Sequence, residues 1–370
     1  MKKIPFLFLL CYLISFAIQA QIPTKEWDKL GQEIAKALNA HDQSVDQYFD
    51  KTAFLNRFIL QNPRNKDIKQ FNRKIRHEWR SFSLGRTLAS QPIQYKYEYI
   101  RIHEDSSLVI RQWHEESGVN YFLFKLQYIN GQWIAMDVYV LLTGQFLSET
   151  MKNTIYLPTA IRLIQGGEES RRGMSNAEIY IEATYLLRKQ EYQQAYTKIS
   201  GIPLDERLKG HQILKLNLSY LLESNEKILK TIEEYQKLFP NDPSFEFIML
   251  DKYVLEETYE KALAAVQVIE DFIGEDDYLY YQKGVIYEQL EDFKEAEVQI
   301  RKAIAKRPNE ALYYWELLSI LEWQEDYKGC IKTLKQMQKV LPHTKEALVE
   351  TVRQFYYVFP YKKEFERWAK

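Results

Sequence analysis

Read backwards from the C-terminus, Pro342, Pro308 and Pro240 recur at multiples of thirty-four residues, and Gly274 occupies the missing place in the series. A fixed period of this length points to a stacked array of short units, because one unit of that size cannot bury its own apolar face. Twelve residues before each of these positions stand Cys330, Ala296, Ala262 and Ile228. Such a place is where two helices of one unit touch, and a compact side chain lets them approach. Around it, apolar residues fall three and four apart while Glu, Lys and Gln fill the rest, so each half-unit predicts an amphipathic helix.

The clearest unit runs from Asp277 to Glu310 and carries Tyr280, Gly284, Tyr287, Ala296, Ile300, Ala303 and Pro308. The next has Tyr314, Leu317, Leu318, Leu321, Cys330, Leu334, Met337 and Pro342, and the one before has Met249, Leu250, Tyr253, Ala262, Val266 and Ile269. Weaker copies run from Lys209 to Asp242 and from Asn176 to about Asp205. This spacing resembles the tetratricopeptide repeat (TPR) family. The resemblance implies an all-α, TPR-like solenoid of about five repeats over residues 176–370, with Lys345–Lys370 as a C-terminal cap. In that family the first helix of every unit lines the concave surface, so the resemblance makes Phe247, Tyr278, Tyr281, Trp315 and Trp323 the candidate partner-binding set. Phe247, Tyr281 and Trp315 hold matching places one repeat apart, and Tyr278 and Trp323 lie on adjoining turns. A groove lined this way suits an apolar peptide or helix, since aromatic rings give large contact area at low entropic cost. Sugar stacking is a second use, and filling of the groove by another part of this chain is the structural alternative.

The first half reads differently. Helical patterns hold Trp27, Leu30, Ile34 and Leu38 after a capping Thr24, then Val45, Tyr48 and Phe49 with Phe54, Leu55 and Phe58, then Ile68, Phe71, Ile75, Trp79 and Phe82. The period then drops to two. Ile93–His103, Leu108–Glu115, Val119–Ile129 and Gln132–Leu142 predict four strands, parted at Glu104–Ser106, at Glu116–Gly118 and at Asn130-Gly131, a strong hairpin signal. Helices followed by an antiparallel meander predict an α+β domain over 21–165. That order, with the run Trp133–Thr150, resembles the nuclear transport factor 2-like (SnoaL-like) fold, in which helices pack on a curved antiparallel sheet around a pocket. Relatives use the pocket for catalysis, for binding or for dimerisation, so fold alone assigns no function. His114 and Asp137 are the candidate acid/base pair for an enzyme reading; no nucleophile motif, metal-ligand cluster or phosphate loop accompanies them.

Export is the third expectation. Lys2 and Lys3 precede an apolar run from Phe6 to Ile18, and Ala20 suits cleavage, so residues 1–20 read as a signal peptide and the mature chain as periplasmic or extracellular, with no stable membrane insertion. Cleavage leaves Cys330 alone, which excludes an internal disulfide and a cysteine-based metal site. The formal charge of -1 offers nothing to nucleic acid. A linker is expected at 166–175, where Gly166, Gly167 and Gly173 cluster with charges. Together these features point to an exported protein-protein interaction scaffold rather than an enzyme, needing no cofactor or metal and binding a protein or peptide, with the N-terminal domain offering a dimer surface. The alternatives are a small-molecule-binding protein or enzyme using the N-terminal pocket, and a structural subunit of an envelope assembly.

Overall fold

The computed structural model describes residues 24–89, 95–103, 107–114, 118–157, 159–160, 163, 168–240, 242 and 244–370. The expected signal peptide, the turns at 104–106 and 115–117, and Gly166 and Gly167 lie outside the described residues. The chain forms two compact units. The described residues up to Val140, with Phe146–Lys152, make the first; Leu141–Gln145, the described part of 153–162, and the chain from Glu168 make the second.

In the first unit, helices α1 (Thr24–Asn39), α2 (Lys51–Phe58), α3 (Lys66–Glu78) and α4 (Leu84–Ala89) precede strands β1 (Lys96–Ile102), β2 (Ser107–His114), β3 (Gly118–Ile129) and β4 (Gln132–Val140). The sheet is antiparallel in the order β1-β2-β3-β4, extended by the short β5 (Gln145–Phe146), and α5 (Leu147–Met151) follows. The expected hairpin closes at Asn130 and Gly131, whose φ angles of 50° and 86° are the left-handed pair that a two-residue turn of this hand demands. Tyr121, Leu123 and Phe124 are all buried, so the middle of β3 is covered on both faces and its simple alternation is lost there. The α1 stripe of Trp27, Ile34 and Leu38 is buried, and Asn39 ties the end of α1 to β1 by bonding the Tyr97 N–H and C=O at 2.9 and 2.6 Å. Trp79 stacks on Phe82 and Phe54 and meets Phe58 edge-on, gathering α2 and the end of α3 into one aromatic block.

The second unit is a helical-repeat array. Its first helices are α6 (Glu168–Arg188), α8 (Lys209–Leu221), α10 (Phe245–Leu255), α12 (Asp277–Gln289), α14 (Ala311–Trp323) and α16 (Lys345–Phe355). Their partners are α7 (Tyr192–Ser200), α9 (Asn225–Leu238), α11 (Tyr259–Ile273), α13 (Phe293–Lys306), α15 (Tyr327–Val340) and α17 (Lys363–Ala369). Ala262, Ala296 and Cys330 are fully buried and Ile228 nearly so, as close helix approach within each hairpin requires. Helix α6 begins at Glu168, so the described part of the expected linker is helical.

The first five hairpin turns share one feature. Gln190, Glu223, Glu257, Glu291 and Glu325 have φ between 50° and 62°, and each is followed by a residue whose N–H bonds the carbonyl five positions back. That reversal is a helix-terminating left-handed turn, and repeating it sets the same angle between paired helices each time.

Candidate functional site

The places that Phe247, Tyr281 and Trp315 occupy on α10, α12 and α14 extend back to Ile213 on α8, giving a row at a constant interval along the first helices. The row is not uniformly available. Leu142 packs on the cluster that contains Ile213 and Leu216, Gly144 lies against Asp242 and Ser244, and Thr154 presses on Gly210, where a Cβ would come within 2.6 Å of its Oγ1. Residues 210–216 of α8 are consequently buried on every side. The alternative in which the chain fills its own groove therefore holds for α8 and α10. On α14 the chain's own cover is Tyr356, which rests on Trp315.

On α12 and α14 the rings are half-buried. Tyr281 lies 5.9 Å from Tyr278 and 5.4 Å from Tyr313, whose hydroxyl donates to Asp277 at 2.5 Å. Trp315 lies 6.4 Å from Tyr356, whose hydroxyl donates to the Trp315 carbonyl at 2.9 Å. Both Tyr281 and Trp315 back onto the core of the last repeats. Phe247 is half-buried on α10. Trp323 stands apart from the row: it is 67% exposed and stacks on Phe293 at the start of α13, at the hairpin turn, because it follows Trp315 by about two helical turns.

Between the rings sit two acids that spacing alone did not single out. Glu316 is the only charged residue from Ala311 to Leu321, which was the available signal. It packs beside Glu288 of the preceding first helix, and burial, then the Glu288 carboxyl, push its pKa up to about 8. Glu288 in turn accepts from the Ser319 hydroxyl at 2.8 Å. Burial first, then the Glu316 charge, also raises the Tyr281 and Tyr356 hydroxyls.

In the first unit the expected acid/base pair is not assembled. Asp137 is level with Lys125 and hence with Ser107 across the sheet, whereas His114 ends β2 opposite Gly118. Seven residues along a strand separate the two levels, about 23 Å. Asp137 is 1% exposed and bonded to the Ser148 hydroxyl at 2.5 Å, to the backbone N–H groups of Val138 and Ser148, and to Arg57 at 4.0 Å. Burial raises its pKa despite these partners. His114 meets the Tyr95 ring edge-on at 6.0 Å. A separate cleft of about 270 Å³ lies between α1 and β4, lined by Glu26, Trp27, Tyr48 and Trp133, and contains neither residue.

Among the described residues no group of three His, Cys, Asp or Glu side chains is placed to hold a metal, and no helix is long and apolar enough to cross a membrane. Cys330 is free and buried.

No family model matches the chain, and no curated protein matches it. Among solved structures it is similar to MamA AMB-1, at 14% identity and a TM-score of 0.37 over 44% of this chain and 96% of that one. It is also similar to PilW, described as a widely conserved type IV pilus biogenesis factor, at 16% identity and a TM-score of 0.38 over 53% of this chain and 99% of that one. A likeness at this level assigns no activity.

Proposed function

We propose that this chain is an exported protein-protein interaction scaffold of the tetratricopeptide type, in which the first-helix face of α12 and α14 takes a protein or peptide. The observation that carries the reading is the row of matched positions whose first member, Ile213, lies in a cluster covered by the chain's own Leu142, while Tyr281 and Trp315 keep part of their rings uncovered. Under this reading residues 1–20 direct export, 21–165 form a nuclear transport factor 2-like domain able to dimerise, and the solenoid begins near residue 176. The separation of His114 from Asp137 speaks against an acid/base enzyme in the first unit.

The test is affinity capture from the source cells with the mature chain and with Trp315→Ala, thermal melts being run beside it. Loss of specific captured proteins at a temperature where the variant is fully folded supports the scaffold. Identical capture by both proteins sinks it. A second reading, a small molecule held by the first unit, draws on the cleft between Trp27 and Trp133, whose rings lie 4.5 Å apart; quenching of tryptophan fluorescence by a ligand, lost in Trp133→Leu, would favour it.

A further inference from the structure

Several shielded carboxylates elsewhere in the helical array are matched to cations. Glu234 takes Arg207 at 2.7 Å and Lys215 at 2.6 Å, Glu270 takes Lys283 at 2.6 Å, and Asp277 takes Arg307 at 3.1 Å. Glu288 and Glu316 differ from these three. Glu288 on α12 reaches α14 through the Ser319 hydroxyl at 2.8 Å, one turn on from Glu316, and neither acid makes an ion pair among the described residues. Two carboxyls so placed repel when both are ionised, and the penalty is removed by a cation inserted between them.

The surroundings suit such a cation. Glu316 acts on the Tyr281 and Tyr356 hydroxyls, and Tyr356 rests on Trp315; ring faces attract an ammonium or guanidinium while its aliphatic stem packs on them. The chain also shows what shape of ligand the first-helix face accepts. Two repeats before Tyr281, the segment packed on the cluster around Ile213 is Leu141–Gln145, a single 3-10 turn leading into β5 and so a short piece of chain rather than a long helix. Two carboxyls with no third ligand nearby are a poor metal site, and their charge excludes anionic partners.

We propose that the face formed by α12, α14 and the end of α16 docks a short basic segment of a partner protein, one Lys or Arg side chain entering between Glu288 and Glu316 against Tyr281 and Trp315. This rests on the scaffold reading and specifies the chemistry of its partner.

The probe is a fluorescein-labelled, N-acetylated, C-amidated peptide of the repeating sequence Leu-Lys-Gly, with Leu-Glu-Gly and Leu-Gln-Gly counterparts, titrated into the full chain by fluorescence anisotropy. The basic peptide is expected to bind at least about tenfold more tightly than either counterpart, and Glu316→Gln and Glu288→Gln each to weaken it by about tenfold. Glu260→Gln, an exposed acid on a second helix, should leave it unchanged. Because the pair has no cation of its own, Glu316→Gln should not lower the melting temperature, whereas a carboxyl serving only structure would.

Absence of binding by the basic peptide, equal binding of the three peptides, or wild-type affinity in both Gln variants overturns the proposal. The capture experiment keeps its failure apart from that of the scaffold reading. Partners lost with Trp315→Ala but retained with Glu316→Gln discard the basic segment and leave the scaffold; partners retained with both discard the scaffold too.

Discussion

His211, near the start of α8, is 1% exposed, its Nδ1 accepts from the Leu208 N–H at 3.2 Å, and its ring centre lies 5.5 Å from that of Tyr180. Burial, then the nearby Arg207 guanidinium, push its pKa down from 6.5 to about 4. The imidazole is therefore neutral in the fold and takes a proton more readily when the chain unfolds. Its contribution is full above pH 6.5 and is lost as pH falls toward the folded value. A shift of about 2.5 units corresponds to about 3.4 kcal/mol once both states are protonated, of which about 2 kcal/mol is lost by pH 5. Ordinary carboxylates stay ionised over that interval. Urea unfolding followed by far-UV circular dichroism between neutral pH and pH 5, on the wild type and on His211→Gln, isolates the effect, since Gln keeps an acceptor near the Leu208 N–H. The wild type should lose about 2 kcal/mol more than the variant at equal denaturant slope. Parallel pH curves would refute a neutral, buried imidazole.

Three further outcomes follow from packing and charge. Glu234→Ala strips Lys215, whose side chain is 3% exposed, of its carboxylate and should cost about 3–5 kcal/mol in a chemical melt, against little for the exposed pair Lys29–Glu33. Glu291→Gly relieves an L-residue at φ 59° and should raise stability by about 0.5–1 kcal/mol, the steric gain of about 1–2 kcal/mol exceeding the added chain entropy; a lower melting temperature would show that the turn carries no strain. With the Glu316 pKa raised to about 8 by burial and then by Glu288, stability should fall as pH climbs from about 4.5 through 8, and Glu316→Gln should flatten that part of the profile.

What could be read in advance followed the range of the interactions involved. The hairpins of the second unit were legible because their contacts are local and repeated: Ala262, Ala296 and Cys330 each report one helix crossing within a single unit. The meander was legible for the same reason, Asn130-Gly131 fixing a two-residue turn without help from elsewhere. The recurring left-handed turn was not, because Glu rather than Gly or Asn stands at Glu223, Glu257, Glu291 and Glu325, and the backbone is held there by the helices it joins. Nor was the covering of Ile213 by Leu142, which brings together residues far apart in the chain. Tyr281 and Trp315 could be found by counting, whereas Glu288 and Glu316 belong to successive first helices and meet only after stacking. His114 and Asp137 failed as a pair because strand register, which composition does not set, puts them at different levels of the sheet.

The proposed face is bounded at both ends, and the bounds limit what it can hold. On one side Leu142 occupies the row at Ile213; on the other, Tyr356 rests on Trp315, and the N–H groups of Val358 and Phe359 bond the Glu322 carboxylate at 2.8 and 2.6 Å. Helices packed face to face lie about 8–10 Å apart, so the span from α12 across α14 to α16 is about 20 Å. Extended chain advances about 3.3 Å per residue, so the face accommodates about six residues. A partner segment of that length gains every contact available, and a longer one gains nothing further, because its ends run over surface the chain has already covered. The affinity of lysine-bearing probes should therefore level off at about six residues; a steady gain beyond that length would place the contact surface outside the row of Tyr281 and Trp315.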